Sequence, residues 1–251
     1  MDSSELLKKR FIELARRAYS SGTYRFTDFL SLSEQSDFSE IKKEISGIPY
    51  TAFGGAPGCE RVIIRFGDEE SFGYTEDFPI VTLKAEPKSE KFADRLTHRD
   101  FLGALMNLGI ERSTLGDIPI INNTAYIFAK EDIAPYIISS LTRVRHTDLA
   151  VSVCDTLPEG ELYRTERKRI QISGERCDSV IAKTFSISRE EASGLFSKRL
   201  VFLDGRLTES PSRSPKPGEI ISVRGYGRIK YVGVSGLSKK GKLNVDVDVF
   251  L

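Results

Sequence analysis

Three short blocks in the last third of the chain concentrate groups that can hold phosphate. They are Arg176-Cys177-Asp178 with Lys183, then Ser188-Arg189, then Lys198-Arg199 leading into Leu200-Val201-Phe202-Leu203-Asp204-Gly205. Guanidinium and ammonium groups fixed on rigid elements are what recognition of a structured RNA backbone requires. Ser188 is placed to cap a helix whose amino end offers free N–H groups to a phosphate. A solvated helix face explains any one of these charges; the whole spaced set points to a polyanion. Arg224, Arg228 and Lys230 either extend that surface or are ordinary exposed strand charges.

The residue types that would carry catalysis are sparse. Gly225-Tyr226-Gly227 begins like a dinucleotide or methyl-donor loop, but Lys230 stands where a third glycine is needed. Gly241-Lys242 is followed by Leu243 and not by Ser or Thr, so the phosphate-cradling loop of nucleotide hydrolases is absent. His98 lies two residues before Asp100, and a His/Asp pair can move protons. On a helix, however, residues two apart do not face each other. We therefore expect no catalytic residue and no cofactor. Thr97, His98, Arg99 and Arg112 are instead candidates for polar contacts to RNA. Cys59, Cys154 and Cys177 are odd in number and far apart, which argues against a disulfide framework or a zinc site and for a reducing cytoplasm.

The elements that must position these groups can be read from patterning. Hydrophobic residues make up 39% and charged residues 29% of 251, the balance of a chain that buries a core. The net charge of +1 conceals a split. From Glu161 to Leu251, 18 Lys and Arg face 11 Asp and Glu, a net +7, which leaves −6 for the first 160 residues. A polyanion is therefore expected at the rear. No apolar run is long enough to span a membrane, and the acidic start Met1-Asp2-Ser3-Ser4-Glu5 is unlike a signal peptide.

An α+β chain in three parts is expected. In residues 1–77, Leu6, Leu7, Phe11, Leu14, Ala15 and Ala18 predict a helix over 4–19. Residues 27–30 and 38–45 read as short helices and 61–66 as a strand. In residues 78–158, strands at 79–85, 118–121, 124–128 and 148–154 alternate with helices at 97–108 and 131–141. That β-α-β-β-α-β order is the ferredoxin-like one shared by many RNA-recognition domains. In residues 161–251, strands at 168–172, 200–203, 219–223, 229–234 and 243–250 accompany helices at 177–185 and 189–198. Residues 239–242 form the turn of a trailing hairpin.

The basic stretch resembles the S4-type RNA-binding domain, whose pattern is Arg-Leu-Asp, a Ser-Arg pair and a Gly-x-Val-x-Val-Asn-Gly hairpin. Cys177 stands for leucine, Arg199 for glycine and Asp204 for asparagine. An arginine at 199 leads us to expect an ordinary backbone dihedral there. The resemblance widens to the YlmH family of bacterial proteins through Thr97–Arg112 with Gly116-Asp117-Ile118, Gly54-Gly55 with Glu60-Arg61, and Arg224–Arg228 with the Lys239-Lys240-Gly241 turn.

That resemblance implies an N-terminal subdomain, a central RNA-binding domain and a C-terminal S4 domain. It implies a non-enzymatic factor that binds rRNA of the large ribosomal subunit and tRNA. Such a factor supports ribosome-associated quality control beside an RqcH-type partner that adds alanine tails to stalled chains. A monomer associated with ribosomes in the cytoplasm, with no membrane partner, is the expectation. The alternatives are an S4-domain RNA-modifying enzyme of the pseudouridine synthase or methyltransferase type, and a protein adaptor linked to cell division.

Overall fold

A computed structural model describes residues 3–158, 162 and 165–250. The expected junction at 159–161 and the terminal residues 1, 2 and 251 lie outside them. The chain divides into two compact units, Met1–Leu162 and Tyr163–Leu251. Among the described residues there are seven α-helices and three antiparallel sheets. No helix among them is long and apolar enough to cross a membrane.

The first unit opens with helix α1 (Ser3–Ser21), whose Phe11, Ala15 and Ala18 are buried at helical spacing. Leu6, counted in that stripe from the sequence, is exposed. Strand β1 (Arg25–Phe26) follows, then helix α2 (Leu32–Glu40). The short helix expected at 27–30 is instead extended chain. Thr27 N–H donates to the Ile64 carbonyl (3.0 Å) and Leu30 N–H to that of Val62 (2.7 Å). The sheet edge satisfies these backbone groups, and that pairing overrides a weak helical pattern. Helix α2 starts earlier than the expected 38–45 because Ser31 and Glu34 form a capping box. A 3-10 turn over Ile41–Lys43 completes it.

Strands β2 (Tyr50–Phe53) and β3 (Ile63–Phe66) close a sheet of order β1-β3-β2, and helix α3 (Glu69–Phe72) is a single turn. Neither β2 nor α3 is foreshadowed by periodicity. The second sheet uses β4 (Ile80–Pro87), β5 (Ile120–Ile121), β6 (Thr124–Lys130), β7 (Arg143–Val144) and β8 (Thr147–Val153) in the order β5-β6-β4-β8-β7. Helices α4 (His98–Asn107) and α5 (Ala134–Ser140) lie in its connections, and Pro135 in the first turn of α5 fixes where that helix begins. Phe101, Leu105 and Ile137 pack with Leu83, Ile127 and Leu149 from the sheet.

The second unit is one six-stranded sheet with two helices on one face. Strand β9 (Thr165–Ile172) precedes helices α6 (Cys177–Phe185) and α7 (Arg189–Ser197). Then come β10 (Val201–Leu203), β11 (Arg206–Leu207), β12 (Ile220–Val223), β13 (Gly227–Leu237) and β14 (Leu243–Phe250), in the order β11-β10-β12-β13-β14-β9. Val245, Val247 and Val249 join Ile170, Ile172, Ile229 and Tyr231 on the buried face, against Val180, Ile181, Ala192 and Phe196 of the helices. Each such side chain contributes about 2 kcal/mol by leaving water. The opposite face carries a ladder of polar pairs. Arg169 faces Asp246 (2.8 Å), Arg167 faces Asp248, and Gln171 faces Asn244.

Candidate nucleic-acid interface

Helix α6 begins where Arg176 takes an extended N-cap conformation. No Ser, Thr or Asn caps it; two backbone carbonyls do. Cys177 N–H donates to the Arg213 carbonyl (2.9 Å) and Asp178 N–H to that of Pro211 (3.1 Å). The Pro/Ser-rich connection over 210–217 thus satisfies first-turn donors that a helix otherwise leaves open. It also frees the Asp178 carboxylate for another role.

Asp178 is only 2% exposed. Its carboxylate accepts from Arg176 twice, Nε to Oδ1 at 3.1 Å and Nη2 to Oδ2 at 2.7 Å. Arg189 Nε donates to the same Oδ2 at 3.4 Å, and the Ser179 hydroxyl is 3.2 Å from Oδ1. Burial raises the Asp178 pKa, but the Arg176 hydrogen bond and the charges of Arg189 and Arg176 outweigh it and hold the carboxyl below its ordinary range. One buried anion therefore fixes two arginines from two helices, and both keep outward-facing surface. Asp178 was expected among the RNA contacts; its carboxylate faces inward, and its part is to position Arg176 and Arg189.

Helix α6 ends at Ser186, in the left-handed region (φ 56°). Ser188 then caps α7, its hydroxyl accepting from Glu191 N–H at 3.0 Å. Arg189 is the first residue of α7 and Lys183 lies in the last turn of α6. Lys183, Ser188 and Arg189 line one cleft.

The remaining basic residues lie on other parts of the unit. Lys198 and Arg199 follow α7, and Arg224 N–H donates to the Leu200 carbonyl (2.9 Å), which draws the three together. Arg199 does not have the ordinary dihedral expected of it; its φ is +58°. The turn into β10 imposes the conformation that glycine takes easily, and the arginine accepts the strain. Its guanidinium pairs with Glu209 at 2.8 Å. The Arg224 guanidinium lies 5.3 Å above the centre of the Phe202 ring. Arg228 lies 4.4 Å from the centre of the Phe250 ring, and Lys230 stands opposite Asp248. These two alternate with the buried Ile229 and Tyr231, so they project from the sheet face away from the helices.

In the first unit, Thr97 N-caps α4, and its N–H (2.8 Å) and hydroxyl (2.6 Å) both donate to Asp100 Oδ2. Arg145 holds the other oxygen at 2.7 Å, so Asp100 is engaged away from His98. His98 and Arg99 are exposed on the first turn. Arg112 differs from its expected role: its Nη1 donates to the carbonyls of Leu115 (2.6 Å) and Gly116 (2.9 Å). Burial and the neighbouring Arg61 lower its pKa to about 10, which leaves it charged at neutral pH.

Sequence patterning did not reveal that Arg61 carries this network. Its Nε donates to the Leu115 carbonyl (2.9 Å), and its Nη2 to those of Phe29 (2.7 Å) and Arg112 (3.1 Å). The Asp117 carboxylate accepts the N–H groups of Glu60 (2.6 Å) and Arg61 (3.0 Å). Gly55 has φ +105°, and a Cβ there would lie 2.3 Å from the Phe128 ring. The Gly-Gly and Glu-Arg signals thus tie the two sheets of this unit together. Among the described residues, no group of three or more His, Cys, Asp or Glu side chains could hold a metal ion. Burial raises the Cys177 thiol to about 12.

Residues 74–157, which contain the second sheet with α4 and α5, match the family model described as "Putative RNA-binding domain in YlmH". Over 226 residues the chain is 26% identical to the ribosome-associated protein quality control protein P2 of Bacillus subtilis (strain 168), covering 88% of this chain and 85% of that protein. A solved structure of the cell division protein ylmH from Streptococcus pneumoniae aligns with 61% of this chain and 92% of its own, at 19% identity and a TM-score of 0.48. The residue 74–157 match and a relative aligned along most of both chains agree with the motifs at 54–61 and 97–118, and in these respects the chain is similar to proteins of the YlmH family.

Proposed function

We propose that this chain is a non-enzymatic RNA-binding protein that acts on the large ribosomal subunit, with rRNA and tRNA as its ligands. The observation that carries this is Asp178, buried and holding Arg176 at the start of α6 and Arg189 at the start of α7, where Arg189 shares a cleft with Lys183. Prepositioned guanidinium groups at a helix amino end suit phosphodiester oxygens and lose little side-chain freedom on binding. The order β9-α6-α7-β10 supports an S4-type domain over 161–251, and the order β8-β4-β6-β5 supports a ferredoxin-like domain over 78–158. Residues 1–77 form an additional α+β subdomain in this reading.

The name of the Bacillus subtilis relative supports a place in ribosome-associated quality control. The protein would hold tRNA on a split large subunit while an RqcH-type factor adds alanine to the stalled chain. Its contribution would be to favour one conformation of the complex, with no bond chemistry and no cofactor. In this account it is a cytoplasmic monomer associated with ribosomes.

Sedimentation of the tagged chain through sucrose gradients of cell lysate tests this. Co-migration with free large subunits carrying tRNA is expected, with loss of that peak in Arg189→Glu. A protein that stays at the top of the gradient at both low and moderate salt would refute it.

A further inference from the structure

We propose that the second unit holds a pocket for one unstacked RNA nucleotide, base inward and phosphates at the rim. This deepens the RNA-binding function proposed above and rests on it. A cleft of about 280 Å3 opens beside the α6–α7 junction, between β9 and the Lys239–Lys242 turn. Ile172, Ala182 and Ile187 give it an apolar lining. Lys183, Arg189 and Lys242 supply cations from α6, α7 and the turn, and no lining residue is acidic.

Two features distinguish this cleft from a surface that follows a duplex backbone. Backbone tracking needs cations alone and gains nothing from an apolar recess. A single base has two π-faces that seek apolar contact and edges that seek a few polar groups. Ser173 and Ser179 are among the cleft's polar lining residues. The volume lies near the lower end of small-ligand sites, about 300 Å3, which suits one base and not a stacked pair. The three cations are opposite in charge to a nucleotide's flanking phosphates.

The Lys242 end of the cleft is held by the hairpin turn. Ser238 N–H donates to the Lys242 carbonyl (2.7 Å), and Lys242 N–H to the Ser238 hydroxyl (2.9 Å). The Arg189 side is anchored on Asp178. Both flanks are therefore set before a ligand arrives.

The test uses the full chain and two hairpin RNAs of the same stem, one with a single bulged 2-aminopurine and one without the bulge. The bulged RNA should bind about tenfold more tightly, the scale of one base taken into a protein site. Its emission should rise on binding, because the base leaves its stacked neighbours and no aromatic side chain lines the cleft. Ile187→Ser, in the connection between α6 and α7, should remove part of the apolar lining. It should abolish the tenfold advantage and leave binding of the unbulged hairpin unchanged. Lys242→Ala, in an exposed turn, should weaken the bulged RNA selectively. Equal binding of the two hairpins with unchanged emission would overturn the pocket and leave RNA binding standing. Failure to bind either hairpin would overturn both.

Discussion

Arg176 and Asp178 are joined side by side through two hydrogen bonds, and the carboxylate is buried while the guanidinium reaches the surface. The pairing links the core of the second unit to its basic surface. Removing the anion should therefore affect fold and binding together. Asp178→Asn leaves Arg176 and Arg189 without their fixed counter-charge and should cost about 2–3 kcal/mol of stability, measured by urea unfolding. It should also make the unit less sensitive to acid. The folded carboxyl titrates below its unfolded value of about 3.9, so its stabilisation is complete above that value and is lost as pH falls through the folded one. Wild-type stability should drop in that window, and the Asn variant should show a shallower decline. A parallel decline in both proteins would contradict the assignment.

Arg61 should be structural, in contrast to Arg99. Arg61→Ala removes three charged hydrogen bonds and leaves the carbonyls of Phe29, Leu115 and Arg112 without that donor. A loss of about 3 kcal/mol in the first unit is expected from thermal unfolding. Arg99→Ala, on the exposed first turn of α4, should leave the melting temperature unchanged.

Arg199 stores backbone strain of about 1 kcal/mol in its left-handed conformation. Arg199→Gly should be neutral or stabilising in urea midpoint, since glycine takes that conformation freely. Arg199→Val should be destabilising by more than the exposed Glu209 pair is worth, about 0–1 kcal/mol. Equal effects of the two substitutions would contradict the strain.

Much of the second unit could be read from the sequence because its signals are local. Helix α6 occupies the expected Cys177–Phe185, since its apolar spacing is bounded by Ser186 and by the chain turn at Gly174. The alternation of valine and aspartate gave β14 its two faces. What escaped depended on distant partners. Thr27–Leu30 is extended because β3 and Val62 pair with it, which no window of nearby residues encodes. Arg112 and Asp178 were assigned to RNA by residue type, whereas burial turns them toward carbonyls and arginines of their own unit. The basic residues of 176–230 also separate into a helix-junction cluster, a turn cluster and an outer sheet face. Strand alternation assigns Arg228 and Lys230 to that face only once the sheet is known.

The most direct test of the central claim is the salt dependence of RNA binding by the full chain. The affinity for large-subunit RNA should fall linearly in log–log form as salt rises, with a slope set by the phosphates neutralised. Lys183→Glu and Arg189→Gln should each weaken binding and reduce the slope by about one, with the fold intact by circular dichroism because both side chains are exposed and glutamine sets no second charge beside Asp178. Affinity that is insensitive to salt, or unchanged in both variants, would contradict an RNA-binding surface at the α6–α7 junction.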